Sequence, residues 1–566
     1  MNAADHAPSN GSKKPVRLRI LHAILATSVA LLPIASMVTV AQPAGAAVPA
    51  PAFIDRHVRA AMDQWGIPGV AIAVVKDGKV VLLKGYGVRQ VGRPETVGPD
   101  TIFGIGSITK TFTALDLALL ADRGKLDWDR RANDYLPGLA FADPWIAEHA
   151  TVRTLASHRQ GVDADFSWMV HDDSQEATYQ RSRHVPASGQ FGELLYSNTG
   201  FNTLGQIVKS ASGRTWEAYT QDEVLAPLGM TRSGTGTALF VDRRIMAPCW
   251  LCSAPEGAPI GLDALGRERN IAVPHGLAEE GQDQTPNGRR TVRAWPWRHL
   301  EAVAPAGALN STARDMARFV AFQMGDGTVD GRRIIGQERL EELHRINVAR
   351  PPGAVKGRKP TAFDRRVATT GYGLGTLALR YRGHDVFGHA GGMPGFAAQM
   401  WIAPEDRLGV VVLTNLDYRY NTGYRAIVEL VMGAYLGLPM LNESDALAAL
   451  WRPRIEGHMV SSPDPAQAPI PAAIRDRMLG RYDNDAIGDF TIALENGRPV
   501  VRFGEHCAAD ILPTGAPQNF ILVFRDAFRW RTTLAIDLDP AGKGARATLG
   551  GWGGDQQTFS FSRSAS

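Results

Sequence analysis

One helix in the middle of the chain has apolar residues on every face and carries a serine and a lysine three residues apart. Ser107 and Lys110 open this segment, and leucines, alanines and Phe112 fill its turns up to Gly124. A helix without a polar face is buried on all sides, so it must lie at the centre of a large domain. The spacing of three places the serine and the lysine on one face, within contact distance. Two glycines just before the serine let the chain turn tightly into the helix.

A buried lysine can supply the base that a serine nucleophile needs. A serine hydroxyl attacks poorly at neutral pH unless a base takes its proton. Desolvation lowers the pKa of a lysine, whereas arginine, which supplies most of the positive charge of this chain, cannot deprotonate. We therefore predict that Ser107 is a nucleophile and Lys110 its base. The alternative is a structural lysine that extends from a buried helix beside a capping serine.

The second motif is a tyrosine and an asparagine that flank a serine, at Tyr196 and Asn198. A tyrosine near an ammonium group loses its proton more easily, so we expect Tyr196 to join the base. The amide of Asn198 can donate to a substrate carbonyl and accept from Lys110. A second copy of the pattern at residues 482–484 comes after the third motif, and its order in the chain excludes it. The alternative for Tyr196 is a core tyrosine whose hydroxyl finds a partner.

The third motif, His-Ala-Gly-Gly, begins at His389 and precedes a predicted strand at 397–401 and its return strand at 410–413. Glycines at a strand edge let a substrate backbone approach closely. We predict a substrate-binding role for His389 and Gly391. The N–H of Gly392 is predicted to bind the oxyanion together with the N–H of the serine. A lone histidine is otherwise more often structural than catalytic.

In this order, the three motifs resemble those of the serine β-lactamase and penicillin-binding-protein superfamily. The class C-like branch, with its D,D-peptidases, D-aminopeptidases and β-lactamase-type esterases, is the most similar. The likeness covers residues 52–440 and includes three further segments, at 65–75, 155–161 and 305–315. The resemblance implies an α+β fold, in which an antiparallel sheet is flanked by helices and joined by a further helical region. It implies no cofactor, and it assigns catalysis to Ser107, Lys110, Tyr196 and Gly392 and substrate binding to Asn198, His389 and Gly391.

The histidine departs from the pattern of many relatives, which carry Lys-Thr-Gly there and use that lysine to attract a substrate carboxylate. His389 can do so only when protonated, below its ordinary pKa of about 6.5. The resemblance therefore favours an exported serine hydrolase that cleaves small esters or short peptides with D-residues through an acyl-enzyme on Ser107. The alternatives are a class C-like β-lactamase and a non-catalytic protein that binds cell-wall material or peptides.

The N-terminus has the pattern of an export signal. Basic residues between 13 and 19 precede an apolar run at 20–40 and a small-residue site at 44–46. We predict a signal peptide over 1–46 and a periplasmic or secreted protein, in contact with a membrane only if the signal is not cleaved. Its removal takes away four basic groups and one acidic group and leaves little net charge, so no nucleic-acid partner is expected.

The rest of the chain divides into two domains. We predict a hydrolase domain at 47–450, a proline-rich linker at 451–471 and a C-terminal domain at 472–566. Short β-runs fill the last part, and an Asn-Gly pair at 496–497 between two of them is a strong hairpin signal. We expect an all-β barrel or sandwich, which resembles the lipocalin-like domains appended to some relatives. The expected partner is a small molecule or short peptide, and nothing in the sequence assigns an oligomeric state.

The chain contains three cysteines. For Cys249 and Cys252, a Cys-x-x-Cys pair, we expect a small-loop disulfide or two free thiols rather than a redox site or half of a zinc site. Cys507 has no partner in the sequence, and we expect it to be buried and inert. The pair lies in a long segment at 240–300, rich in glycine, proline and arginine, which is either a lid or a packed loop.

Overall fold

The computed structural model describes most of the chain after residue 48. The described ranges are 49–163, 168–171, 174–262, 265, 270–277, 291–350, 366–441, 444–445, 447–449, 469–516, 518–526, 530–538, 544–552 and 557–564. The predicted signal peptide and nearly all of the predicted linker lie outside these ranges. Among the helices inside them, none has the length and apolar character of a membrane span.

The centre of the molecule is one antiparallel sheet. The strands before residue 420 are β1 (Gly69–Lys76), β2 (Lys79–Gly87), β3 (Phe103–Gly104), β4 (His275–Leu277), β5 (Val292–Ala294), β6 (Asn310–Ser311), β7 (Thr328–Val329), β8 (Arg332–Arg333), β9 (Val348–Ala349), β10 (Val367–Tyr372), β11 (Leu377–Tyr381), β12 (His384–Met393), β13 (Phe396–Ala403) and β14 (Leu408–Thr414). The sheet has the order β2-β1-β14-β13-β12-β11-β10-β9, and three further pairs, β3–β6, β4–β5 and β7–β8, lie outside it. The strands predicted at 397–401 and 410–413 are confirmed as β13 and β14.

The sheet separates two apolar cores. Along β1, Val70 and Ile72 belong to one core, and Ala71 and Ala73 belong to the other. Successive side chains of a strand point to opposite faces, so a strand covered on both faces is apolar at every position. This explains why residues 69–75 form an uninterrupted apolar run in the sequence.

Helices cover both faces of the sheet and build a helical region beside it. They are α1 (Pro51–Trp65), α2 (Thr109–Asp122), α3 (Ala132–Tyr135), α4 (Pro144–His149), α5 (Val152–Ala156), α6 (Gln175–Ser182), α7 (Asn198–Ser212), α8 (Trp216–Thr220), α9 (Ala304–Gly307), α10 (Ala313–Gln323), α11 (Gln337–Glu342), α12 (Gly423–Tyr435) and α13 (Ala472–Met478). Helices α1 and α12 pack together on one face, and α10 packs on the other. Every residue of α2 from Thr109 to Ala121 is buried, which confirms the prediction of a central helix.

The C-terminal strands close into an eight-stranded antiparallel barrel. They are β15 (Gly480–Asn484), β16 (Gly488–Glu495), β17 (Arg498–Phe503), β18 (Cys507–Pro513), β19 (Asn519–Phe524), β20 (Arg531–Leu538), β21 (Gly544–Trp552) and β22 (Gln557–Arg563), and β22 pairs back with β15. Asn496 and Gly497 both have positive φ, 51° and 75°, as a two-residue hairpin turn requires. The sheet flanked by helices and the barrel together confirm the expected fold class.

The barrel packs on the rest of the molecule, since residues 47–566 form one compact unit. The 240–300 segment contributes to this contact at Ser253 and Arg298. The backbone N–H of Ser253 donates to the carbonyl of His506 at 2.9 Å, and Trp250, Trp295 and Trp297 are buried. Of the two alternatives for this segment, the packed loop agrees with these contacts. The predicted boundaries at 450 and 472 stay a prediction.

A buried histidine in β4 makes the fold sensitive to acid. His275 donates from Nδ1 to the carbonyl of Asn415 (3.0 Å) and accepts at Nε2 from the N–H of Val91 (3.1 Å), so it is neutral in the folded protein. Burial lowers its pKa to about 4. The unfolded imidazole takes its proton near pH 6.5, so the stability that this neutral histidine contributes is complete above pH 6.5 and is lost as the pH falls towards 4.

We therefore expect the free energy of unfolding to fall with acidification between about pH 6.5 and about pH 4. In His275→Gln this slope is expected to be shallower, by up to about 1.4 kcal/mol per pH unit. Urea unfolding across this pH range measures the slope. The exposed His149 provides the control, because His149→Gln should keep the slope of the parent protein. Identical slopes in all three proteins would refute this assignment.

Candidate active site

Ser107 lies in a tight turn that leads into the central helix. The turn is a 3-10 helix at Gly106–Ile108, and α2 itself begins at Thr109, so the expected α-helical start at Ser107 is two residues early. Gly106 has a φ of +52°, in the left-handed region that favours glycine. This backbone conformation turns the chain sharply at the serine and leaves Ser107 half-buried.

Lys110 is fully buried one turn further along, and its Nζ points at the serine. The Nζ donates to Ser107 Oγ at 3.1 Å, to Asn198 Oδ1 at 2.6 Å and to the carbonyl of Ala306 at 2.8 Å. The sequence predicted the contacts with the serine and the asparagine. The carbonyl at the end of α9 is a third acceptor, and together the three fix the position of the amine against the hydroxyl.

The second motif meets the lysine at the start of α7. The Ser197 hydroxyl accepts from the N–H of Gly200 at 3.1 Å and caps the helix, which places Asn198 at its first position. Tyr196 precedes the cap, and its ring centroid lies 4.7 Å from Lys110 Nζ. The Tyr196 side chain is 36% exposed. Its ring thus has one side against the amine and part of its surface at the solvent, where a substrate can arrive.

The glycines of the third motif bring β12 against the serine turn. Strand β12 pairs with β11 only as far as Gly388. The residues that follow in β12 have no β11 partner along this edge of the strand. A Cβ added at Gly391 would come within 1.8 Å of the Ile105 carbonyl oxygen, and one added at Gly106 within 2.7 Å of the Gly392 nitrogen. Only glycine permits this approach, which places the Gly392 backbone beside the residue that precedes Ser107.

His389 is buried and neutral. Its Nδ1 lies 2.5 Å from the Ala390 carbonyl, to which it must donate, and its Nε2 lies 3.0 Å from Tyr372 Oη, from which the neutral ring accepts. Burial and the nearby Lys110 lower the pKa of His389 to about 3. At neutral pH the imidazole therefore offers no positive charge to a substrate carboxylate. Tyr372, which the sequence analysis missed, is wholly buried and comes from β10.

His158 is a second residue at the site that the motifs did not reveal. It is fully buried, its ring centroid lies 4.3 Å from that of Tyr196, and its Nδ1 accepts from the N–H of Ser197 at 3.1 Å. It also contacts Tyr372, with ring centroids 4.6 Å apart. Burial, with Lys110 nearby, holds the pKa of His158 well below its usual value. The neutral His158 ring therefore packs against the Tyr196 ring and helps to fix its position.

Loss of this ring is expected to slow the chemistry more than it weakens binding. His158 has a φ of +58°, which asparagine tolerates well, and an asparagine amide keeps an acceptor for Ser197. In His158→Asn we expect kcat to fall by about 10²-fold with little change in KM, because Tyr196 loses the surface that positions it. Steady-state kinetics on an activated ester separates the two constants.

His344 provides a matched control for this substitution. It stacks on Phe387 with ring centroids 3.5 Å apart and bonds Gln323, and no described residue of the three motifs contacts its ring. His344→Asn should lower the melting temperature and leave kcat unchanged. An unchanged kcat in a folded His158→Asn protein would show that the ring does not position Tyr196.

Comparison with known proteins agrees with this geometry. The family model described as Beta-lactamase matches residues 54–431. Penicillin-binding protein 4 of Amycolatopsis lactamdurans is 29% identical over 358 residues, which are 62% of this chain and 81% of that protein. The D-amino acid amidase of Ochrobactrum anthropi SV3, solved with L-phenylalanine amide, is 25% identical, with a TM-score of 0.51 over 67% of this chain and 98% of the amidase.

A further solved structure bears on the fold alone. The octameric penicillin-binding protein homologue from Pyrococcus abyssi has a TM-score of 0.53 and 21% identity, over 90% of this chain and 99% of that chain. Because the family model covers well over half of the residues, the assignment does not depend on any single relative. The chain belongs to the beta-lactamase family and is a serine hydrolase of the β-lactamase and penicillin-binding-protein superfamily.

Proposed function

We propose that the protein is an exported hydrolase that cleaves small esters or short peptides of the D-amino-acid type through an acyl-enzyme on Ser107. The observation that carries this proposal is the buried Lys110 Nζ, 3.1 Å from the Ser107 hydroxyl and held there by Asn198 and the Ala306 carbonyl. An amine placed in this way can take the hydroxyl proton as the serine attacks.

The reaction has two halves. Ser107 Oγ attacks the substrate carbonyl while its proton passes to neutral Lys110, with Tyr196 as the second member of the base. The oxyanion accepts from the N–H groups of Ser107 and Gly392. The same pair then protonates the leaving amine or alcohol, and a water molecule, deprotonated by that pair, releases the acyl group. Asn198 donates from its amide nitrogen to a substrate carbonyl while its oxygen holds the lysine.

The neutral His389 in the third motif supports a preference for substrates without a carboxylate at this position. A lysine in this slot would attract a substrate carboxylate, but buried His389 uses Nδ1 to hold Ala390 and Nε2 to hold Tyr372. Substrates that rely on a free carboxylate therefore lose a charge–charge contact here. The similarity to an enzyme named D-amino acid amidase supports amides of D-residues as one class of substrate. The basic and apolar pattern of residues 1–46 supports export.

Matched substrates test this proposal. A D-amino acid anilide, the same compound in the L form and a neutral aryl ester should be compared with an analogue that carries a free carboxylate next to the scissile bond. We expect turnover of the ester and the D-anilide and a lower kcat/KM for the acidic analogue. Failure to hydrolyse any neutral donor, together with rapid nitrocefin turnover, would identify a β-lactamase instead.

A further inference from the structure

Cys507 lies against the Cys249–Cys252 disulfide although it comes from a distant part of the chain. The three sulfur atoms all lie within 4.8 Å of one another, and all three residues are buried. Cys249 and Cys252 are joined, which confirms one of the two states expected for the pair. Cys507, the first residue of β18, is a free thiol whose Sγ lies 3.6 Å from the Leu251 carbonyl oxygen inside the disulfide turn.

The contact lies at the seam between the barrel and the rest of the molecule. On one side of the turn, the Ser253 N–H donates to the His506 carbonyl at 2.9 Å. The Ser253 hydroxyl donates to the Arg525 carbonyl at 3.3 Å. The disulfide turn is therefore hydrogen-bonded to the barrel at the residue before Cys507 and at the residue after β19. These hydrogen bonds keep the three sulfur atoms close together.

A buried arginine completes the cluster. Arg298 donates from Nη1 to the carbonyls of Cys249 (3.2 Å) and Cys252, and its Nη2 lies 3.8 Å from Asp526 Oδ2 in the barrel. Arg298 and Asp526 are both almost fully buried. This ion pair links the 240–300 segment to the barrel, as the contact between the cysteines does. The seam therefore contains a buried ion pair beside the three sulfur atoms.

We propose that Cys249, Cys252 and Cys507 form a thiol–disulfide exchange site that can move the disulfide from the turn onto the barrel. Cys507 loses its proton, and its thiolate attacks one sulfur of the disulfide. A bond from Cys507 to that sulfur forms, the bond between Cys249 and Cys252 breaks, and the released thiolate takes up a proton. One disulfide and one thiol are present before and after, so the step requires no oxidant or reductant.

The two disulfides differ in what they constrain. A bond between Cys249 and Cys252 closes a loop of a few residues, whereas a bond to Cys507 closes a loop that spans much of the chain and joins the barrel to the sheet domain. In the chain-entropy model, the longer loop removes more freedom from the unfolded state. The exchanged form should therefore resist thermal unfolding better. Burial raises the pKa of the Cys507 thiol well above its ordinary value, so exchange should be slow at neutral pH and faster at alkaline pH.

Disulfide mapping of the purified full-length protein tests the proposal. Samples incubated at neutral and at alkaline pH are quenched in acid, alkylated at free thiols, digested without reduction and analysed by mass spectrometry. We expect a peptide pair that joins Cys507 to the turn, in a fraction that rises with pH and incubation time. The melting temperature measured without reductant should rise with that fraction.

Three variants sharpen this test. Cys249→Ser and Cys252→Ser each leave one turn cysteine opposite Cys507 as a second thiol. With oxidised glutathione added as the oxidant, at least one of these variants should form the cross-link completely. Cys507→Ser should keep the turn disulfide and show neither the cross-linked peptide pair nor the rise in melting temperature after alkaline incubation. The proposal is overturned if the parent protein shows only the Cys249–Cys252 bond at every pH and Cys507 stays free in both single variants. Recovery of all three sulfurs as thiols with a bound metal ion would overturn it equally.

Discussion

Ser107→Ala is expected to lower kcat/KM for ester hydrolysis by about 10⁴-fold or more, because alanine lacks the oxygen on which the proposed acyl-enzyme forms. The hydroxyl lies 3.1 Å from Lys110 Nζ in a turn whose shape depends on Gly106 rather than on the serine side chain. Alanine fits that turn, so the variant should fold and bind substrate. Steady-state kinetics and thermal unfolding on the same preparation separate a loss of chemistry from a loss of structure.

Ser210 is the matched control for this variant. It is exposed on α7, and its hydroxyl donates only to the Tyr135 carbonyl among the described contacts. Ser210→Ala should keep full activity. That result would show that a serine-to-alanine change outside the site does not lower activity. If Ser107→Ala retained the parent activity in purified, folded protein, the proposed mechanism would be wrong.

Lys110→Arg should cost about 10³-fold in kcat, the middle of the range expected for loss of a general base. Arginine can still donate to Asn198, but it stays protonated and cannot accept the serine proton. The buried site is also shaped for an amine, since Lys110 Nζ donates at 2.6 to 3.1 Å to three separate acceptors. A planar guanidinium cannot reproduce that arrangement.

The pH dependence identifies the role of the lysine. If Lys110 is the base, the pH profile of kcat/KM should differ between the parent enzyme and Lys110→Arg, because arginine cannot deprotonate. Lys209→Arg, on the exposed side of α7, is the control and should match the parent profile. A Lys110→Arg enzyme with the parent rate and pH profile would assign the lysine a structural role only.

The sequence was most informative where the chemistry is local. Ser107 and Lys110 lie one turn apart, so their spacing alone predicts that the side chains meet. Tyr196 and Asn198 are predicted instead from their motif and its place in the chain, and both lie against Lys110. The rejected match at Tyr482 shows why the order of motifs matters, because that tyrosine lies in β15 of the barrel and donates to the Met478 carbonyl.

Residues that act across the fold could not be predicted in this way. His158 supports Tyr196 from a loop with a left-handed backbone, and Tyr372 holds His389 from a neighbouring strand. Neither contact has a sequence spacing that identifies it. The same holds for Cys507, which was correctly expected to be buried, but whose position beside Cys249 and Cys252 depends on how the barrel packs.

Active-site labelling shows which residue carries the acyl group. The purified full-length protein is incubated with a fluorophosphonate or an activated acyl donor, digested, and the modified residue is identified by mass spectrometry. We expect one label per chain, on the Ser107 hydroxyl, and no label in Ser107→Ala. A label on another residue, or none in a folded protein that hydrolyses esters, would contradict this expectation.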